Sequence, residues 1–271
     1  ERDREKLIRS YSNKELQDND EAEFRKKYSE YLKELDVNDK NYSHNFDTLV
    51  IGSDEVFNCT QESSWGASMK WFGEGLKTKQ LISYAASFGF TTWERLKESK
   101  LQETVSKNLN NFQALSVRDE NSRQIAQLCG VNVENHLDPV LVYDYESMVK
   151  KDKRLEKNLI VYTYPNRLKE QHIIDQIKAI AKKEGLTLVS IGSYYDWCKN
   201  PVLTPFQVLQ YFRNAKYVVT DTFHGTVFSL KFATPFATLV RDSNRQKLGD
   251  LLSRLGQETA AVTDADNLEE V

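Results

Sequence analysis

The sequence predicts an α/β protein made of two Rossmann-like lobes with parallel sheets. Three observations carry this reading. Short β-branched runs alternate with stretches of helical period along most of the chain. Most of the runs stop at a glycine or a polar turn. The pattern lapses over the charged stretch 143–157 and then restarts. Strands alternating with helices give parallel sheets covered on both faces. Ligands in such sheets sit at the C-terminal ends of strands. We therefore expect an N-terminal lobe over 1–145, a C-terminal lobe over 146–271, and a cleft between them.

The elements follow in order. Residues 1–19 are polar and read as a mobile or helical surface segment. From Glu21 to Leu35, the residues Phe24, Tyr28, Tyr31, Leu32 and Leu35 share one helical face. A buried strand is expected over Asp47–Gly52 and another over Gln80–Ser87. A helix spans about 92–110, a short strand 114–118, and a helix 121–128 that stops at Gly130. Residues 131–142 hold one more strand, interrupted by Asp138 and Pro139. In the second lobe, strands are expected over 158–164, 187–192, 217–223 and 235–240. Helices are expected over 168–184, 205–215 (with Thr204 as N-cap), 225–232 and 244–255. The last residues, 257–271, are acidic and read as peripheral.

Composition narrows the classes of function. Apolar residues make up 39%, enough for a core, and no apolar run approaches the length of a membrane span. The formal net charge of −3 gives no bulk attraction to nucleic acid or acidic lipid. The 37 basic residues leave room for local basic pockets. Cys59, Cys129 and Cys198 are far apart and make no metal-ligand spacing, which suits a reducing compartment and small buried side chains. The chain opens on Glu1 and a charged run with no signal-peptide pattern. There is no GxGxxG, no P-loop pattern and no internal repeat.

The most informative stretch is Tyr217–Leu230 (YVVTDTFHGTVFSL). It reads as a buried strand that ends in a polar turn and restarts as a helix. A fresh helix N-terminus favours an anion, and His224 stands there. Its alternatives are a proton-transfer role and simple packing. The helix end favours neutral imidazole in an empty site, and a bound phosphate or carboxylate favours the protonated form. Asp221 and Thr222 flank the turn as ligand contacts or as caps. Gly225 permits close approach of a ligand or serves the turn, and Thr226 offers a hydroxyl to a phosphate oxygen. In the first lobe, Gly52–Asn58 follows a strand, and Asp54 can orient an acceptor hydroxyl or make an Asx turn. Arg118 can grip a carboxylate or phosphate bidentately, or pair locally with Asp119 or Glu120. Arg241 and Arg245 follow the last strand of the second lobe. Trp65, Trp71 and Trp197 are candidates for stacking on a sugar or for burial.

Five blocks now resemble, in order, the polysaccharide pyruvyl transferase family. They are Asp47–Asn58 (DTLVIGSDEVFN), Ile82–Gly89 (ISYAASFG), Ser116–Ser122 (SVRDENS), Leu137–Val140 (LDPV) and Thr220–Thr226 (TDTFHGT). The resemblance implies a glycosyltransferase-B-like pair of lobes in a cytoplasmic enzyme. It implies phosphoenolpyruvate as donor substrate, no cofactor or metal, and a saccharide of a cell-surface polymer or its lipid-linked precursor as acceptor. The product is a pyruvate ketal. By this analogy His224 is the general acid, Arg118 holds the anionic donor, and Asp54 helps place donor or acceptor. Ser53, Asn58, Ser87, Asp221, Thr222, Phe223, Gly225, Thr226, Arg241 and Arg245 are the substrate-binding candidates. Some members carry an arginine where Thr222 stands, so this chain obtains that charge elsewhere, with Arg241 and Arg245 as candidates, or does without it. The family normally opens with a strand and an Asn-Tyr-Gly-like loop. No such segment precedes Asp47, so an incomplete first lobe is expected. Nucleic acid is not expected as a partner. Peripheral contact with a lipid-linked acceptor and a homo-oligomer fit the same reading. Two alternatives share the fold: a glycosyltransferase that uses a nucleotide sugar, and a non-catalytic saccharide-binding relative.

Overall fold

The computed structural model describes residues 22, 23, 25–30, 32, 33, 45–61, 68–145, 147–242, 244–263, 268 and 270. The chain divides into two compact units, Tyr42–Val142 and a second that contains Tyr143–Val271. Residues 22, 23, 25–30, 32 and 33 are helical, as expected, but they group with the second unit. Phe24, Tyr31 and Leu35 of their expected apolar face, the segment 1–19 and Trp65 lie outside the described residues.

In the first unit, β1 (Asn45–Gly52) pairs in parallel with β2 (Lys77–Tyr84). Strand β3 (Ser116–Val117) pairs in parallel with β4 (Glu134–Asn135). Parallel bridges Ile82–Ala114 and Ala86–Val117 join the two pairs into the order β1-β2-β3-β4. Helices α1 (Trp93–Glu98) and α2 (Gln102–Leu109) connect β2 to β3, and α3 (Glu120–Leu128) connects β3 to β4. Right-handed crossovers between strands in consecutive order all return over the same face. Burial follows this rule. Ile51, Leu81 and Leu115 pack with Leu96, Val105, Leu109 and Ile125 from the helices. Phe57 adds rings at 4.7 Å from Phe72 and 5.9 Å from Phe112. On the other face Val50 is 57% exposed and Tyr84 is half-buried. Among the described residues this sheet is thus covered on one face, not two, and β1 is not the buried strand expected.

The expected helix over 92–110 is broken by local packing. Lys100 takes a left-handed φ of 55°. Leu101 N–H donates to Leu96 O and Lys100 N–H to Lys97 O. This is a Schellman stop, and Leu101 packs against the core cluster that contains Leu96. The expected strand over 131–142 is short because Asp138 accepts from the Val140 N–H and Pro139 opens a helical turn, α4 (Pro139–Val142).

The second unit holds β5 (Asn158–Tyr162), α5 (Gln171–Glu184), β6 (Thr187–Ile191), α6 (Pro205–Asn214), β7 (Tyr217–Thr220), α7 (Phe223–Phe232), β8 (Phe236–Leu239), α8 (Arg245–Arg254) and β9 (Ala261–Val262). The sheet is parallel throughout, in the order β6-β5-β7-β8-β9. The chain leaves β5 toward one edge, then crosses back to build toward the other. Right-handed crossovers in opposite directions put helices on both faces. Leu159 and Val161 accordingly pack on Ile173 and Ile177 of α5. Ile160 packs on the opposite side with Phe212 of α6 and Phe228 of α7. Thr204 and Gln207 form a capping box at the start of α6, with Pro205 in its first turn. Gly185 ends α5 with φ 63°.

The described part of the acidic tail is not peripheral. Strand β9 extends the sheet beside β8, and Val262 and Leu268 are 1% and 6% exposed within the core. We expect Leu268→Ala to lower stability by about 2–4 kcal/mol, the usual cost of a buried leucine, in urea denaturation. A peripheral tail would give no change.

Candidate functional site

The strand order of the second unit selects a place. An open parallel sheet binds ligands at the point where its order reverses, outside the carboxyl ends of the strands. Here that point lies between β5 and β7. Residues 163–164 leave β5, and Asp221, Thr222, Phe223 and His224 leave β7. The Tyr164 N–H donates to Asp221 Oδ1 at 3.0 Å, so one hydrogen bond links the two strand exits.

The turn is built from its threonines and a glycine. Thr220 Oγ1 donates to the Tyr162 carbonyl at 2.6 Å and accepts from the Thr222 N–H at 3.1 Å. Thr222 is the N-cap of α7 and its hydroxyl accepts from the Gly225 N–H at 2.8 Å. Thr226 is fully buried. Its hydroxyl donates to the Thr222 carbonyl at 3.0 Å and shares a bond with Thr238 Oγ1. Gly225 is needed for space, not for φ. A Cβ there would collide with the Thr220 side chain and come 2.8 Å from Thr222 Oγ1. The glycine therefore lets α7 sit tight on the end of β7. His224 stands in the first turn of α7, half-buried, its ring 5.6 Å from that of Phe223 and 5.9 Å from that of Phe228.

Beneath this turn lies an ionic clamp. Asp221 is 0% exposed. Its Oδ2 accepts from Arg241 Nη1 at 2.9 Å, and Arg167 Nη1 lies at 4.0 Å. Arg241 also donates from Nε and Nη2 to the Glu170 carboxylate at 2.9–3.1 Å. The clamp thus ties together the loops after β5, β7 and β8. Asn244 completes it, donating to the carbonyls of Asp221 and Leu239. Burial pushes the Asp221 carboxyl up; the Tyr164 N–H, Arg241 and Arg167 offset part of this. Burial also opposes charge on Glu170, but the N–H groups of Glu170 and Lys169 and the Arg241 guanidinium outweigh it and hold that carboxyl below its usual value. Nearby, Tyr195 OH and Thr163 Oγ1 lie 2.7 Å apart. Burial raises the Tyr195 phenol, and the Asp221 charge adds to this.

The first unit gathers its candidates at the same end of its own sheet. Arg118 follows β3 and is 7% exposed. Its Nη1 donates to Asp138 Oδ2 at 2.8 Å and to the Ser53 carbonyl at 2.5 Å. Its Nη2 lies 3.4 Å from Asp54 Oδ1, on a side chain that is 75% exposed. Asp54 also accepts from the Glu55 N–H at 2.8 Å. The local partners considered for Arg118 are used elsewhere. Asp119 caps α3 and accepts from Ser87 Oγ at 2.6 Å, and Glu120 pairs with Arg123. Asn58 and Ser87 are buried; Asn58 accepts from Thr91 and donates to Glu55.

The structure brings His224, Asp221, Thr222, Phe223, Gly225, Thr226 and Arg241 to one strand end, and Arg118, Asp54 and Ser53 to another. Arg245 stays apart, 67% exposed and paired with Asp242. Trp71 is 45% exposed, and Trp197 packs 5.1 Å from the Tyr195 ring. The sequence reading missed Glu170, Asn244, Tyr195 and the partner role of Asp138. Only Asp138 had a signal, its place in the LDPV block. The three cysteines are free. Burial pushes Cys59 to about 11 and Cys198 to about 12, and raises Cys129, so all three stay protonated near neutrality. Among the described residues, no cluster of His, Cys, Asp or Glu is placed to hold a metal ion, and no helix is long and apolar enough to cross a membrane.

Two outcomes follow from this geometry. Gly225→Ala should lower stability by about 1–3 kcal/mol through overpacking, seen in the urea midpoint. Glu170→Gln should cost about 1.5–3 kcal/mol at pH 7, as expected for hydrogen bonds to a charged group. The folded carboxyl titrates below the unfolded one. Its contribution is therefore complete above about pH 4.3, the ordinary value, and is lost as the pH falls through the lower folded value. Parent and variant should converge in acid. A gap that does not narrow as the pH falls below the ordinary carboxylate range would contradict the clamp.

No curated protein matches the chain. The family model described as polysaccharide pyruvyl transferase matches residues 5–243, which span both units and include Arg118 and His224. The chain belongs to the polysaccharide pyruvyl transferase family.

Proposed function

We propose that this protein transfers a pyruvyl group from phosphoenolpyruvate to two hydroxyls of one saccharide unit, forming a cyclic ketal and releasing phosphate. The observation that supports it most is the position of His224. A half-buried imidazole stands in the first turn of a helix, at the strand-order reversal of a parallel sheet. Such a turn offers backbone donors to an anion and an ionisable group to the bond that must be protonated.

In this reading His224, as imidazolium, gives its proton to the methylene carbon of the donor. The central carbon becomes a cation stabilised by its oxygen. One acceptor hydroxyl adds to it and loses a proton, which restores the proton that His224 gave up. Phosphate leaves with its bonding electrons, the second hydroxyl closes the ring, and its proton goes to solvent. No atom changes its oxidation state in a way that calls for a redox partner. Arg118 grips the donor's anionic groups, and Asp54 places a hydroxyl. Arg241 and Asp221 serve the turn from beneath, holding it rather than touching substrate. The acceptor is a unit of a cell-surface polysaccharide or of its lipid-linked precursor.

The test is phosphate release from phosphoenolpyruvate across a panel of saccharides with vicinal or 1,3-related hydroxyls. His224→Ala should slow it by about 10²–10⁴-fold, the range for loss of a general acid, without loss of fold by circular dichroism. Full activity in that variant would remove the assigned acid. Stabilisation by a nucleotide sugar and not by phosphoenolpyruvate would favour the glycosyltransferase reading.

A further inference from the structure

We propose that Asp138 is a positioning residue that sets the presentation of Arg118 to the donor; this rests on the reading of Arg118 given above. The argument starts from burial. Arg118 and Asp138 have side chains 5% and 2% exposed. A buried guanidinium needs a carboxylate, and the carboxylate's position then dictates its own. Asp138 is itself fixed. Its Oδ1 accepts from the Val140 N–H at 3.0 Å, and Pro139 stiffens the chain between them. Its Oδ2 takes Arg118 Nη1 at 2.8 Å.

The second acceptor for Nη1 is the Ser53 carbonyl. Ser53 holds a left-handed φ of 35° after Gly52, whose φ is 143°. A Cβ at Gly52 would strike the Tyr84 carbonyl, so the chain must pass close to β2 there. Strain of this kind persists only where the surroundings impose it. Together the two acceptors anchor one edge of the guanidinium on the buried side. The Nη2 edge is left toward Asp54, the exposed carboxylate. Asp138 thus orients Arg118 without facing the ligand itself.

Asparagine at this position can serve the Val140 N–H or the guanidinium with its one oxygen, but not both in the same orientation. Glutamate keeps the charge but moves it by one methylene. The experiment is calorimetric titration of the full chain with phosphoenolpyruvate, which needs no acceptor. Asp138→Asn and Asp138→Glu should each weaken the Kd by roughly tenfold to a hundredfold, the scale of a misplaced binding group. In an Arg118→Lys background the Asp138→Glu change should add nothing. A merely structural Asp138 would lower the melting temperature yet leave the Kd of the folded protein unchanged, and that result overturns the proposal. Additive effects in the double variant also overturn it. Should Asp138→Asn fail to fold, Asp138→Glu and the double variant decide alone. If Arg118→Lys itself leaves the Kd unchanged, or the parent chain does not bind phosphoenolpyruvate, the reading of Arg118 falls and takes this proposal with it. An effect of Arg118→Lys with none at Asp138 sinks the proposal only.

Discussion

The handedness of the parallel crossover governs where everything else in this chain can lie. A right-twisted strand followed by a helix returns to its sheet in one hand only. In the second unit the chain builds outward from β5 in both directions, so its helices divide between two faces and a reversal point opens between β5 and β7. In the first unit the strands run in simple sequence, so the helices share one face. The same rule yields a sheet with helices on both faces in one case and, among the described residues, a sheet covered on one face in the other. Val50 and Tyr84 are the visible consequence on the open side.

Each unit then places a buried aspartate at the exits of its strands and ties an arginine to it. Asp221 holds Arg241, and Asp138 holds Arg118. Taking such charges out of water is costly, and the mutual attraction offsets that cost only with good geometry and filled hydrogen bonds. Both aspartates meet the condition, because each also accepts a backbone N–H: Asp221 from Tyr164 in the loop after β5, and Asp138 from Val140 in the helical turn that follows it. The pairs are weak evidence for stability, since an apolar replacement can be as favourable. They are stronger evidence for fixed geometry, because each guanidinium is anchored on one side and directed on the other. In Arg241 the directed side meets Glu170, and in Arg118 it meets the exposed Asp54.

Most of the fold was legible because its signals are local. Thr204 before Pro205, Gly185 after α5, and the β-branched runs of β5 and β7 act within a few residues of themselves. The His224 turn was legible for the same reason, as a strand, a polar turn and a helix start are contiguous. What failed was nonlocal. The split of α1 from α2 depends on a Leu101-to-Leu96 backbone hydrogen bond across a left-handed lysine, which helical periodicity does not register. The buried tail depends on β8 having an open edge for β9. The partners of Arg118 lie 20 and 65 residues away along the chain. Sequence neighbours suggested Asp119 and Glu120 instead, and those two are already engaged with α3. Gly225 is a milder case. Its presence was legible, but its reason is the closeness of Thr220, not ligand approach or backbone freedom.

The charge balance around the second unit's turn bears on the proposed acid. Arg241 was, with Arg245, a candidate to replace an arginine at the position of Thr222. It is bound by two carboxylates, and with Arg167 beside them the acids and guanidiniums cancel. That group of four gives an arriving anion little net attraction. Thr222 contributes a cap and no charge. At this turn, what remains to attract an anion is the N-terminal end of α7 and the imidazole in its first turn. A bound anion in turn favours the protonated ring. In the proposed reading, an imidazole above a neutral clamp would tie anion binding to proton supply at one residue, which is the coupling that a general acid for an anionic enol ester requires.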